Sequence, residues 1–234
     1  MSLKKRMITI TMNPMTIIWD FDGTLLPNDP FDSEQSLLMY KLYEAGEKLP
    51  LFLRALTRFL IYADNHEHLR KTFKKFFNWF MQGTSVTALD RVCQRLADKI
   101  PETDRQTILH LKDEGHNMMV LSCGTANLSE GTLKKAGLDH CFTAIAGNRF
   151  DIKNGLIADM SLRVSHPEDK VTFLTEKGIS PDSTLAVGDG YTDIPLLDWA
   201  RISVMLDRTG QKQKKYAHKK YHFVKSISEI LEMV

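Results

Sequence analysis

The sequence predicts an α/β fold, a doubly wound parallel sheet with an all-helical unit inserted after its first strand. Three observations carry that prediction. Met15-Thr16-Ile17-Ile18-Trp19 is a short apolar run closing on a turn, the pattern of a buried strand. From Thr107 onward, apolar runs of strand length alternate with segments of helical periodicity. That order builds parallel sheets with helices on both faces. Between these two regions, residues 28–106 carry helical periodicity alone.

The first strand ends at Asp20-Phe21-Asp22-Gly23-Thr24-Leu25, and the turn cluster Leu26-Pro27-Asn28-Asp29-Pro30 follows. A weak helical pattern covers residues 33–45. Leu51, Phe52, Ala55, Leu56, Phe59 and Leu60 then share one helical face, as do Leu69, Phe73, Phe76, Phe77 and Phe80. Both stripes are expected to be core. Gly83-Thr84-Ser85 breaks the chain before a third stripe of Val86, Leu89, Cys93, Leu96 and Ile100. Ile108, Leu109 and Leu111 lead to a helix end at Gly115. Strands are expected over residues 117–122, 142–146, 184–189, 202–206 and 221–224. Helices are expected to start at Cys123, after Pro167, at Asp193 and at Ile227. Residues 149–162 read as a hairpin turning at Lys153-Asn154-Gly155. The division expected is a core of residues 1–27 and 107–234 and a helical insertion of residues 28–106.

A chain of 234 residues holds one sizeable domain or two modest ones. Its 43% apolar and 26% charged content is ordinary for a globular protein. A net charge of +2 gives no bias toward polyanions, so no nucleic-acid partner is expected. The basic run of residues 212–220 reads as solvated surface. Cys93, Cys123 and Cys141 are scattered and odd in number, which suits a reducing cytoplasm better than a disulfide scaffold. Asn13-Pro14 interrupts any apolar run behind Lys4, Lys5 and Arg6, so no signal peptide is expected. The most apolar region, residues 49–63, carries Arg54 and Arg58 and is too short to span a bilayer, so no membrane contact is expected.

Ligands of open α/β sheets bind beyond the carboxyl ends of the strands. Asp20 and Asp22 stand there one residue apart. Where the strand gives way to the turn the two can point different ways, so one can attack while the other handles protons. Gly23 allows the chain to turn sharply. A calcium loop is excluded, because Leu25 stands where such a loop needs glycine. Ser122 ends the second strand, and its hydroxyl with the Gly124 and Thr125 amides makes a phosphate cradle at a helix N-terminus. Lys170, at a helix start, can bring a positive charge to that cradle; Lys153 and Lys177 are the alternatives. Gly188-Asp189-Gly190-Tyr191-Thr192-Asp193 sets two carboxylates around a glycine turn. Cys123 has Ser129 six positions on, where a cysteine phosphatase needs arginine, so its thiol reads as a spectator. His66-Glu67-His68 reads as solvated helix, since residues two apart on a helix diverge.

These four motifs, in this order, resemble the haloacid dehalogenase-like hydrolase superfamily. The resemblance covers the first strand and residues 107–234. The insertion between the first and second motifs resembles the helical cap of the phosphoserine phosphatase-like branch. The resemblance implies a Mg²⁺-dependent phosphomonoester hydrolase acting on a small molecule. Asp20 would be the nucleophile, forming an aspartyl-phosphate, and Asp22 the acid and base. Asp20, Asp189 and the backbone carbonyl of Asp22 would hold Mg²⁺. Asp193 would steady a metal-bound water or Lys170. Gly23, Thr24, Ser122, Cys123, Gly124 and Lys170 would surround the phosphoryl group. Dehalogenases of the superfamily lack the carboxylate found here as Asp22, which points to phosphoryl transfer. The chemistry agrees: a carboxylate attacks an anionic phosphate ester only once charge is neutralised, and hard oxygen donors select Mg²⁺ for that task.

In that branch an acidic residue nine positions after the nucleophile meets the substrate amine, and Asp29 stands there in this chain. A cap arginine meets the substrate carboxylate, with Arg54, Arg58 and Arg70 as candidates. Phosphoserine is therefore one candidate substrate. Cys123 replaces the glycine common in the branch, and the aromatic insertion equally suits a larger, less polar ester. Two other readings stay open: a phosphotransferase or phosphomutase on the same core, and a non-catalytic phosphate-binding protein. The latter has no physical need for four converging carboxylates.

Overall fold

The computed structural model describes residues 14–46, 50–65 and 70–234. The chain runs β1 (Thr16–Trp19), α1 (Ser33–Tyr43), α2 (Leu51–Asn65), α3 (Arg70–Met81), α4 (Val86–Asp98) and α5 (Glu102–Asp113). It continues through β2 (Asn117–Thr125), α6 (Ala126–Lys135), β3 (Phe142–Lys153), β4 (Leu156–Ser161) and α7 (Pro167–Glu176). It closes with β5 (Thr184–Gly188), α8 (Ile194–Trp199), β6 (Ile202–Leu206), α9 (Lys212–Lys215) and β7 (His222–Val224).

Among the described residues the strands form one seven-stranded sheet in the order β4-β3-β2-β1-β5-β6-β7. All neighbours are parallel except the β3–β4 hairpin. Asn154 and Gly155, both at positive φ, make the hairpin turn expected there. Strand β1 is central because its residues are apolar on both faces. Ile17 and Trp19 join the α1–α6 side of the core, whereas Ile18 joins α7 and α8 on the other side. The chain leaves β1 for β2 on one flank and reaches β5 on the other, so the topological switch lies beside β1.

Among the described residues the helical insertion shares the core of the sheet. Leu37, Leu38, Phe73, Phe77 and Met81 are buried in the same cluster as Ile17 and Trp19. The Phe77 ring meets Phe150 of β3 at 5.7 Å. The boundary drawn from the sequence at residues 106/107 falls inside α5, a single helix from Glu102 to Asp113.

One apolar stripe differs from expectation. Leu51, Phe52, Leu56 and Phe59 of α2 are exposed, Leu51 by 81% and Phe59 by 58%. Leu60 of that stripe is buried as expected, with Thr57 and Ile61, while Ala55 is exposed. It packs against α1 and α3, and those neighbours engage only one of its apolar rows. Val86 is likewise exposed, while Leu89, Cys93, Leu96 and Ile100 are buried as expected. Leu69 and His66-Glu67-His68 lie outside the described residues.

Helices α4 and α6 approach closely at Gly131, where an added Cβ would stand 2.5 Å from Cys93 Sγ. Gly131→Ala is predicted to cost about 1–3 kcal/mol by overpacking. Cys93→Ala in the same chain should return part of that loss, measured as non-additivity in urea unfolding. Strict additivity would show that the two helices are not in contact there.

Candidate active site

The register of the sheet assembles the site. Trp19 stands level with Val120 and Val187, so Asp20 and Asp189, just past the ends of β1 and β5, and Ser122 within β2 lie at the same edge. The Asp20 N–H donates to the Val187 carbonyl at 2.9 Å, which fixes where its side chain starts. The centre of the site is Lys170, fully buried on α7. Its ammonium donates to Asp20 Oδ1 at 2.7 Å and Asp193 Oδ1 at 2.6 Å. The first turn of α7 is set by Pro167 and by Asp169, whose carboxylate accepts the Ser165 and His166 N–H groups at 2.8 Å each. Lys153 and Lys177, the alternatives, are exposed.

Asp193 works on both its oxygens. Oδ2 accepts the Asp189 and Gly190 N–H groups at 2.9 and 3.0 Å, shaping the turn that carries Asp189. Asp189 in turn lies against Gly23, whose φ of +86° and missing Cβ leave room for that carboxylate. Thr24, beside it, is buried.

Asp22 points to the insertion. Its Oδ1 accepts the Ser33 N–H at 2.8 Å and its Oδ2 the Ser33 hydroxyl at 2.9 Å. The first residue of α1 thus holds the second carboxylate of the motif. Burial pushes the Asp22 carboxyl up to about 6, with the Ser33 hydrogen bonds opposing. Burial and then the Asp193 charge push Asp20 up, against Lys170. Burial alone would lower the Lys170 ammonium, but Asp193 and Asp20 outweigh it and hold it above its ordinary value. Two carboxylates two residues apart therefore sit in different surroundings, one against an ammonium and one against hydroxyl and amide donors.

Ser122 Oγ accepts the Gly124 N–H at 2.9 Å. Strand β2 runs on to Thr125, so the helix starts at Ala126 and not at Cys123 as expected. Cys123 is buried and lines the cavity beside Ser122 and Gly124.

Carboxylate oxygens of Asp20, Asp189 and Asp193 come within 4.8 Å of one another. Asp193 is consumed by Lys170 and two amides, and Lys212 takes Asp189 Oδ2. Asp20 Oδ2 and Asp189 Oδ1 take no part in those bonds. This all-oxygen donor set fits a hard divalent cation and not zinc.

Two features escaped sequence reasoning. Lys212, expected to be solvated, donates to Asp189 Oδ2 at 2.6 Å and to the Leu206 carbonyl at 3.2 Å. Asp207 seats it by accepting the Gln211 and Gln213 N–H groups at 3.0 and 2.9 Å. Its signal was its place just past the end of β6. Glu34 is the second feature. It is 4% exposed and meets Lys74 Nζ of α3 at 2.6 and 2.5 Å, and it accepts the Thr125 hydroxyl at 2.6 Å. Lys74 had one signal, a charge beside Phe73 within an apolar stripe.

A cavity of about 300 Å³ opens above Asp20 and Asp22 and reaches Glu34 on one side and Lys212 on the other. Asp29 is exposed and does not line it; Asn28 and Asp32 do. Arg54 and Arg58 stack over the Tyr43 ring at 5.7 and 5.4 Å, also away from the cavity. The side chain of Arg70 lies outside the described ones.

The family model described as haloacid dehalogenase-like hydrolase matches residues 17–198. A phosphoserine phosphatase of Wolinella succinogenes is 24% identical over 79% of this chain and 83% of its own length. One of Archaeoglobus fulgidus is 29% identical over 53% of this chain, a match that spans only 36% of that protein. A solved substrate-bound phosphoserine phosphatase complex superposes with a TM-score of 0.71 at 18% identity, covering 95% of this chain and 99% of that one.

Lys170→Met would leave two buried carboxylates facing each other. It is predicted to cost about 3–5 kcal/mol of stability in metal-free protein. Adding Asp193→Asn should recover part of this in denaturant titrations with chelator. An unchanged midpoint for Lys170→Met would mean that the buried triad is not held together by its charges.

Proposed function

The chain belongs to the haloacid dehalogenase-like hydrolases, and on that footing we propose that it is a Mg²⁺-dependent phosphomonoester hydrolase working through an aspartyl-phosphate on Asp20. The observation that carries this is the pair of contrasting carboxylates at the end of β1. Asp20 accepts from the Lys170 ammonium, and Asp22 is held at Ser33 with its carboxyl raised to about 6. One suits attack and the other suits proton transfer at ordinary pH.

The phosphoryl group lies against Ser122, Gly124 and Lys170, and Asp20 attacks phosphorus. As the phosphorus–oxygen ester bond breaks, Asp22 gives its proton to the leaving oxygen. Asp22 then takes a proton from water, which attacks the aspartyl-phosphate, releases inorganic phosphate and restores Asp20. Such positioned acid–base catalysis contributes about 10²–10⁴-fold. Mg²⁺, held by Asp20, Asp189 and the Asp22 backbone carbonyl, would supply charge neutralisation at the phosphoryl oxygens. Lys170 adds to it through a fixed positive charge that needs no reorganisation. The helical insertion roofs the cavity and excludes water from the first step. A cavity of about 300 Å³ suits a small-molecule ester. No helix among the described residues is long and apolar enough to cross a membrane. The three buried free cysteines accord with a reducing cytoplasm.

Asp20→Asn is predicted to abolish turnover of every phosphomonoester while leaving the circular dichroism spectrum unchanged. Residual hydrolysis in the folded variant would remove Asp20 from the nucleophile role. Activity should require Mg²⁺, vanish with chelator and be inhibited by Ca²⁺, whose looser coordination misplaces the nucleophile. Full turnover in excess chelator would contradict the metal assignment.

A further inference from the structure

We propose that Lys212 helps to set which divalent cation the site prefers: by holding one oxygen of Asp189 it confines that carboxylate to one-oxygen coordination, which favours Mg²⁺ over Ca²⁺. This rests on the divalent-cation site of the reading above. The two ions ask different things of a carboxylate. Mg²⁺ demands near-ideal octahedral geometry at about 2.0–2.1 Å, keeps several waters and binds through one or two carboxylates. Ca²⁺ takes about six to eight oxygens at about 2.3–2.6 Å and accepts both oxygens of one carboxylate. A carboxylate with one oxygen already engaged therefore loses little toward Mg²⁺, but loses its two-oxygen mode toward Ca²⁺.

Asp189 is such a carboxylate. Its Oδ2 accepts the Lys212 ammonium at 2.6 Å, and its Oδ1 takes no part in that bond. The ammonium is itself seated, because it also donates to the Leu206 carbonyl at 3.2 Å. The buried Asp207 fixes the chain on both sides of Lys212, accepting the Gln211 N–H at 3.0 Å and the Gln213 N–H at 2.9 Å. From the opposite side, Asp189 is pressed onto Gly23. A Cβ added there would stand 2.4 Å from Asp189 Cγ and from each of its two oxygens. Held between a seated ammonium and a backbone wall, Asp189 cannot turn its second oxygen to a cation without breaking the Lys212 bond.

The charge of Lys212 acts differently from its position. Both ions are doubly charged, so the ammonium weakens both by Coulomb repulsion and does not separate them. The separation comes from the occupied oxygen. Lys170 occupies Asp20 Oδ1 in the same manner at 2.7 Å, but it belongs to the buried triad and to the phosphoryl subsite. Lys212 is the residue that can be changed on its own, since its side chain is 28% exposed and water can reach Asp189 when it is gone.

The test is isothermal titration calorimetry of magnesium chloride and of calcium chloride into chelator-treated wild-type protein and Lys212→Met. Removing the charge should tighten both ions. Freeing Asp189 Oδ2 should in addition raise the ratio of Ca²⁺ to Mg²⁺ affinity by about tenfold, the worth of one added contact to a charged oxygen. Asp207→Asn loosens the seat and keeps the Lys212 charge, so it should move the ratio the same way by a smaller factor. Both ions binding Lys212→Met with the wild-type ratio would overturn the proposal and leave the cation site standing. Neither ion binding the wild-type protein would remove the cation site and this proposal with it. Should Lys212→Met fail to fold, an unchanged ratio in Asp207→Asn overturns the proposal in its place.

Discussion

An ammonium buried at the end of a parallel sheet has to be paired, and the site follows from how Lys170 is paired. Its transfer from water costs several kcal/mol unless carboxylates surround it. Asp20 and Asp193 do so at 2.7 and 2.6 Å, from strand ends brought level by the β1–β5 register. With Asp189 nearby, the cluster holds three carboxylates against Lys170 and the partly exposed Lys212. That arrangement is short of positive charge, and the free oxygens of Asp20 and Asp189 mark where more is wanted. The same pairing that makes the core foldable therefore creates demand for a divalent cation. It also keeps one oxygen of Asp20 from turning away from the substrate.

The insertion is fixed by a comparable constraint. Glu34 and Lys74 are charged residues with almost no access to water, so they must find each other across α1 and α3. Thr125, at the end of β2, adds a hydroxyl from the core side. Three elements meet at one carboxylate. A buried pair of this kind contributes little net stability against an apolar substitute, but it tolerates only one arrangement of its neighbours. It acts as a register pin between the insertion and the sheet, beside the hydrophobic cluster that both share.

Much of this was legible in the sequence, for identifiable reasons. Asp20, Asp22, Ser122 and Asp189 sit in short local patterns toward the carboxyl ends of strands, where topology brings them together, and Lys170 and Asp193 sit at helix starts. The hairpin at Asn154-Gly155 was legible because few residue pairs adopt its turn. What stayed hidden depended on partners far apart in the chain. Helical periodicity showed that α2 has an apolar face but not which neighbours would meet it, so Leu51, Phe52, Leu56 and Phe59 were assigned to a core they do not enter. Lys212 looked like one of many surface lysines, because nothing local ties it to Asp189, 23 positions away. Glu34 and Lys74, 40 positions apart, were equally invisible as a pair. Asp29, Arg54 and Arg58 were candidates through the resemblance; Asp29 is exposed in the turn after β1, and the two arginines lie over the Tyr43 ring.

These two kinds of residue correspond to two layers of chemistry. The groups that handle phosphorus are local in sequence, because every phosphoryl substrate presents the same charge and shape. The residues lining the rest of the cavity come from the turn before α1, from α1, from the turn after β5 and from the segment after β6. Each can change without disturbing the Asp20–Lys170–Asp193 triad. Lys74 illustrates the separation: it does not line the cavity, yet it pairs the Glu34 carboxylate that does. A core of fixed charge can thus be kept while the walls around it change.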